Sequence, residues 1–215
     1  MSGIRTTVLL CAVFITIVVS MFVYSVVREP QLSDSELRER GVFLLPTPRE
    51  VSFELTNHEG ETFTQSDLEG RWTFAYFGFT HCPDICPTSM AVLGQAERLL
   101  HGGPGGQGTN AETANFLGML VTVDPDRDTA EVLGRYVTAF SPRFVGLLGE
   151  RAPLAEFATQ VNVAFAKLPT DDGYTVDHTG NIVIFNPRGH YHGFIKLPHD
   201  AETVRLTYQS LASRF

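Results

Sequence analysis

Hydrophobic positions are spaced in three different ways along this chain, and each spacing predicts a different element. Residues 8–27 are apolar or hydroxyl-bearing without a single charge, which reaches the roughly 20 residues a helix needs to cross a bilayer. Residues 29–48 are polar and end on two prolines, the pattern of a stalk. Beyond them the pattern alternates between strand and helix periods. Val51, Phe53 and Leu55 alternate with polar neighbours, Asn57-His58-Glu59-Gly60 is turn chemistry, and residues 61–64 can return as a hairpin. An aromatic-rich strand is predicted over residues 72–79, then a helix over residues 88–100 with Met90, Leu93, Leu99 and Leu100 on its inner face. The glycine-rich residues 101–108 stop that helix. A continuous apolar run at residues 116–123 reads as a strand covered on both faces.

The later half repeats the alternation. Val132, Leu133, Tyr136, Val137 and Phe140 form the stripe of a helix over residues 129–140, with Asp128 as its expected cap. A short strand at 144–148, a helix at 153–161, an apolar run at 163–168 and a polar turn at 169–174 follow. Residues 181–185 and 190–195 flank Asn186-Pro187-Arg188-Gly189 as a hairpin, and a helix over 200–212 closes the chain. Strands alternating with helices and ending in a hairpin predict an α/β fold with a mixed central sheet flanked by helices, plus an N-terminal transmembrane helix. The expected division is residues 1–5 cytoplasmic, 6–27 a membrane anchor, 28–48 a stalk and 49–215 the folded domain. Arg5 stands before the span and Arg28 after it is offset by Glu29, so the charge bias places the amino terminus in the cytoplasm and the domain outside it.

Charge and cysteine usage narrow the function. Sixteen basic against twenty-four acidic residues leave a net charge of −8, which speaks against a nucleic-acid partner. Of three cysteines, Cys11 falls inside the apolar run, so only Cys82 and Cys86 remain to do chemistry outside the membrane. They lie where the strand at 72–79 hands over to a helix. Pro87 suits the first helical turn, and backbone N–H groups at a helix start favour a thiolate. If that segment is helical, the C-x-x-x-C spacing sets both thiols on one face. Such a pair can bind a soft metal or exchange disulfides. Asp124, Asp126 and Asp128 resemble an alternating calcium loop but lack its glycine and distal glutamate, so turn and cap roles are expected. A second informative stretch, Thr175-Val176-Asp177-His178-Thr179, sets an acid and a histidine on a loop leading into a strand. His58, His101, His190, His192 and His199 are expected to be solvated.

Residues from about Phe53 to the end resemble the Sco/SenC family. The likeness is carried by Gly78-Phe79-Thr80-His81-Cys82-Pro83-Asp84-Ile85-Cys86-Pro87-Thr88, by Val123-Asp124-Pro125-Asp126-Arg127-Asp128-Thr129, and by Tyr174-Thr175-Val176-Asp177-His178-Thr179. Ala130 and Asn186 depart from the usual proline and aspartate at those positions. The resemblance implies a thioredoxin-like fold and a copper ion, Cu(I) or Cu(II), held by Cys82, Cys86 and His178. It also implies delivery of that copper to, or thiol preparation of, the binuclear copper A centre of cytochrome c oxidase. Two thiolates and an imidazole suit Cu(I), and Asp177 is expected to orient His178 from behind. The alternative is a thiol–disulfide oxidoreductase with Cys82 attacking and Cys86 resolving. The expected location is a bacterial inner membrane with the domain in the periplasm, or else the mitochondrial inner membrane. A periplasmic copper donor and a thiol reductant are the expected further partners.

Overall fold

The computed structural model describes residues 2–27, 31–102, 115–171 and 173–215. Most of the glycine-rich stretch that was expected to end the first long helix lies outside them. The chain divides into an N-terminal unit ending at Gln31 and a second from Leu32 to Phe215. The first is helix α1, Ser2–Val27, in which residues Gly3–Val23 have a mean hydropathy of 2.6 over 21 residues. At a rise of 1.5 Å per residue that span is about 30 Å long, the thickness of a bilayer's hydrocarbon core.

The second unit starts earlier than the sequence suggested. The segment expected as a stalk carries helix α2, Asp34–Glu39, and strand β1, Val42–Arg49. Ser33 and Glu36 close a capping box at the start of α2, and Leu37 is fully buried beneath it. Val42, Phe43 and Leu44 then pair with Ile195, Phe194 and Gly193. A short apolar run inside a polar stretch was enough to add an edge strand, and Pro46 and Pro48 suit an edge where N–H groups are not required.

Eight strands form one sheet in the order β1-β10-β9-β4-β5-β6-β2-β3. Here β2 is Glu54–Asn57, β3 Thr62–Thr64, β4 Trp72–Gly78, β5 Phe116–Thr122, β6 Val145–Leu148, β9 Ile182–Phe185 and β10 Tyr191–Ile195. Strands β4, β5 and β6 run parallel and the remaining pairs antiparallel, so the sheet is mixed. Every residue of β4 and β5 is buried, as their unbroken apolar runs required. Helices α3 (Ile85–Gly102), α4 (Ala130–Thr138), α5 (Arg151–Gln160) and α6 (Ala201–Ala212) complete an α/β domain with the thioredoxin-like fold. Gly118 in β5 exists because of its neighbour: a Cβ there would lie 2.4 Å from Cζ of buried Phe144.

Two further strands, β7 (Phe165–Thr170) and β8 (Gly173–His178), form a separate two-stranded sheet. The sequence reading made residues 175–179 a loop. Residues 175–178 instead belong to the outgoing strand of this hairpin, with His178 opposite Phe165 and Thr179 just beyond its end. The cap of α4 also differs: Thr129, not Asp128, accepts the Val132 N–H, which frees Asp128 for another task.

Candidate metal centre

Strand β4 stops at Gly78, whose carbonyl accepts the Val123 N–H at 2.9 Å and so ties the strand end to the segment after β5. The chain then turns, with Cys82 N–H donating to Phe79 O at 3.2 Å, and enters α3 at Ile85. Only Cys86 is therefore helical. The two sulfurs meet because a turn folds Cys82 back over the first turn of α3, and not because both share one helix face. Cys86 is fully buried and Cys82 half-buried, both as free thiols.

His178 arrives from the hairpin. Its Nε2 lies 3.5 Å from Cys86 Sγ, and the donor atoms of Cys82, Cys86 and His178 all lie within 4.8 Å of one another. Nδ1 of the same ring is 3.2 Å from the Thr179 carbonyl oxygen. A carbonyl can only accept, so Nδ1 carries the proton and Nε2 turns its lone pair to the sulfurs. That carbonyl does the orienting expected of Asp177, which is exposed and acts on the ring through its charge. Phe79 and Tyr76 stand edge-on to the imidazole, with centroids 6.0 and 5.8 Å away. A cleft of about 220 Å³ opens over the cluster, lined among others by Pro83, Asp84, Ile85 and Thr175.

The electrostatics reverse one expectation. Burial pushes the Cys86 thiol well above its ordinary range, and the neighbouring Cys82 side chain adds to the effect. Desolvation thus outweighs the helix start, and Cys86 is a thiol until something replaces its proton. Burial likewise holds His178 below the ordinary histidine value, against the Thr179 carbonyl and the Asp177 charge. A buried thiol, a half-buried thiol and a neutral imidazole suit a soft cation. With metal–sulfur and metal–nitrogen bonds of about 2.3 and 2.0 Å, trigonal ligation needs ligand atoms about 3.7–4.0 Å apart. The cluster is within an ångström of that spacing.

The surrounding framework was only partly legible. Asp128 is buried and accepts three donors: Thr80 N–H, Thr80 Oγ1 at 2.6 Å and Thr122 Oγ1 at 2.6 Å. It ties the cysteine loop to the end of β5. Asp124 pairs with Arg127 and accepts the Tyr174 hydroxyl at 2.8 Å, while the Arg127 guanidinium lies 4.0 Å from the Tyr174 ring centroid. Those contacts hold the hairpin against the loop after β5. Asp126, exposed, pairs with Lys167 and Arg151. The turn roles expected of the three aspartates were therefore too modest, although their motif was the signal that could have found them.

Four histidines are less solvated than expected, His190 among them, half-buried with its Nε2 3.9 Å from Glu50 Oε1. His192 packs edge-on to Trp72, His199 lies between Ser89 and the Ile195 carbonyl, and His58 Nδ1 accepts the Gly146 N–H. His101 is exposed, as expected, and His81 is exposed beside Asp128.

A thioredoxin-like domain carrying two thiols and an imidazole at one cleft defines a class of metal-ligating thiol proteins. A family model described as SCO1/SenC matches residues 46–213, and the chain belongs to that family. It is 36% identical over 154 residues to the human mitochondrial protein SCO2 homolog, covering 71% of this chain and 55% of that protein. It thus spans little more than half the length of that relative. A protein of Stutzerimonas stutzeri described as a putative copper-binding protein is 35% identical over 165 residues, 75% of this chain and 76% of its own length. Among solved structures, copper-bound ScoI of Arabidopsis thaliana matches with a TM-score of 0.67 and 29% identity, over 76% of this chain and 98% of that one.

Proposed function

We propose that this chain is a copper-binding protein that takes one copper ion on Cys82 Sγ, Cys86 Sγ and His178 Nε2 and passes it to the copper A centre of cytochrome c oxidase. The observation that carries this reading is the convergence of the three donor atoms within 4.8 Å at an open cleft. Membership of a family of oxidase assembly proteins supports the acceptor. Three ligands from two separate elements leave a coordination position for an acceptor's cysteine or histidine, which a closed four-ligand cage would obstruct. Two thiolates favour Cu(I), and an added oxygen ligand would admit Cu(II). The apolar α1 fits a single-pass anchor. In this reading the amino terminus is cytoplasmic and the domain faces the periplasm of a bacterial inner membrane, where a copper donor and a thiol reductant serve it. A mitochondrial inner membrane is the alternative, in keeping with the mitochondrial relatives.

The test is an anaerobic Cu(I) titration against a competing chelator, on the reduced full chain in detergent, for wild type beside His178→Ala. One tight equivalent, weakened at least tenfold in the variant, is expected. Equal binding by the two proteins removes His178 from the site.

A second reading, thiol–disulfide exchange on partner cysteines, is favoured by one observation. Cys82 is half-exposed while Cys86 beside it is buried, the asymmetry of an attacking and a resolving thiol. That chemistry needs no imidazole. His178→Ala then keeps normal thiol exchange, and a chain that works through exchange alone keeps its cellular function as well.

A further inference from the structure

Behind the three donors lies a buried polar group that ligation does not use. Tyr76, in the middle of β4, is wholly buried, with its ring edge-on to His178 on one side and to His199, at 6.0 Å, on the other. Among the described residues its hydroxyl has no partner in hydrogen-bond geometry. An unpaired buried hydroxyl is costly and demands a reason. The surroundings are not apolar, because the Cys86 and Ser89 side chains are polar neighbours of the phenol. Gly78 lets the groups gather: a Cβ there would lie 2.9 Å from Tyr76 Cε1 and 3.0 Å from Cys86 Sγ.

The hydrogen on Ser89 is already committed. Its Oγ lies 3.0 Å from His199 Nδ1, and His199 Nε2 faces the Ile195 carbonyl oxygen at 3.3 Å. A carbonyl only accepts, so Nε2 bears the proton, Nδ1 accepts, and Ser89 donates to it. Ser89 then turns lone pairs alone on the phenol. The Tyr76 proton has two available acceptors, Ser89 Oγ and Cys86 Sγ. A neutral thiol is a weak acceptor, whereas a metal-bound thiolate is a strong one.

We propose that Tyr76 is a positioning residue of the copper site, its hydroxyl donating to the Cys86 sulfur once that sulfur binds copper. The proposal rests on the copper reading above. A thiolate accepts far more strongly than a thiol, so this bond gains strength when the Cys86 sulfur exchanges its proton for copper. It fixes the direction of the Cys86 lone pairs and draws electron density from the sulfur.

Tyr76→Phe separates this role from packing, because the ring stays and one oxygen goes. Three measurements on the full chain in detergent are made beside wild type: Cu(I) competition, the sulfur-to-copper charge-transfer band of the Cu(II) form, and thermal unfolding without copper. The expected result is Cu(I) affinity lowered about tenfold, a charge-transfer band moved to lower energy, and copper-free unfolding unchanged or shifted upward. Unchanged affinity with an unmoved band overturns the hydrogen bond and leaves the copper reading standing. A lowered copper-free unfolding temperature with an unmoved band overturns it too, since the oxygen is then structural. If wild type itself takes up no copper, the copper reading falls and the proposal falls with it.

Discussion

Replacing Asp128 is the sharpest probe of how this site is held. Its carboxylate is buried and is the common acceptor for the Thr80 amide, the Thr80 hydroxyl and the Thr122 hydroxyl. A hydrogen bond to a charged acceptor contributes about 1.5–3 kcal/mol net, so three independent bonds would total about 5–9 kcal/mol. They are not independent. The Thr80 hydroxyl has a second partner in His81 Nδ1 at 3.1 Å, and the Thr122 hydroxyl already accepts the Asp124 N–H at 3.0 Å, leaving its own hydrogen to find another acceptor. The Thr80 amide has no such fallback. Asp128→Ala is therefore expected to cost about 3–4 kcal/mol, and Asp128→Asn, which keeps one carbonyl acceptor, about 1–2 kcal/mol. Urea unfolding of the copper-free protein reads this through Trp72, the only tryptophan, which is 2% exposed. In thermal terms the alanine variant should lose about 6–16 °C. A loss below 1 kcal/mol for alanine, or equal losses for both variants, would show that the carboxylate is not the post that anchors the cysteine loop.

Three further outcomes are expected. Gly118→Ala drives a Cβ against the Phe144 ring and should destabilise by about 3 kcal/mol, part of it recovered by adding Phe144→Leu; no loss in urea unfolding would refute the packing argument. His178, His192 and His199 are held below the ordinary histidine value by burial. The unfolded chain therefore takes up protons near pH 6.5 that the folded chain refuses. Stability is full above about pH 6.5 and declines as pH falls through the interval down to the folded values. Urea midpoints at pH 7.5 and 5.5 measure this, and a midpoint that rises on acidification contradicts it. Because Cys86 is held as a thiol, copper uptake must displace its proton, and that proton alone should raise the apparent Cu(I) affinity about tenfold per pH unit between pH 6 and 8, with any proton displaced from Cys82 steepening the slope. A flat profile would mean that Cys86 is already a thiolate.

The parts of this fold that were legible in sequence are those where one local rule decides the matter. The unbroken apolar runs of β4 and β5 required cover on both faces, and the Asn186-Pro187-Arg188-Gly189 turn required a hairpin; both hold. The misses are long-range. Strand β1 is visible only through its pairing with β10, since a four-residue apolar run among polar neighbours carries no sure period of its own. The histidine segment reads as a loop because the burial of β8 is irregular, with only Val176 fully covered. The ligand set followed from family resemblance, and the convergence of its donor atoms needed three dimensions. Desolvation was also invisible: a helix start argues for a Cys86 thiolate, and only the depth of the side chain reverses the sign.

The hairpin gives the ligand set a mechanical meaning. His178 and Cys86 are 92 residues apart in sequence: one ends a strand of the small sheet, and the other opens the helix that follows β4 of the large one. An ion gripped by all three side chains would act as a reversible rivet between the small sheet and the large one. Loading would stiffen the β7–β8 arm and release would slacken it. The amides of residues 173–178 would then exchange with solvent more slowly in the loaded protein.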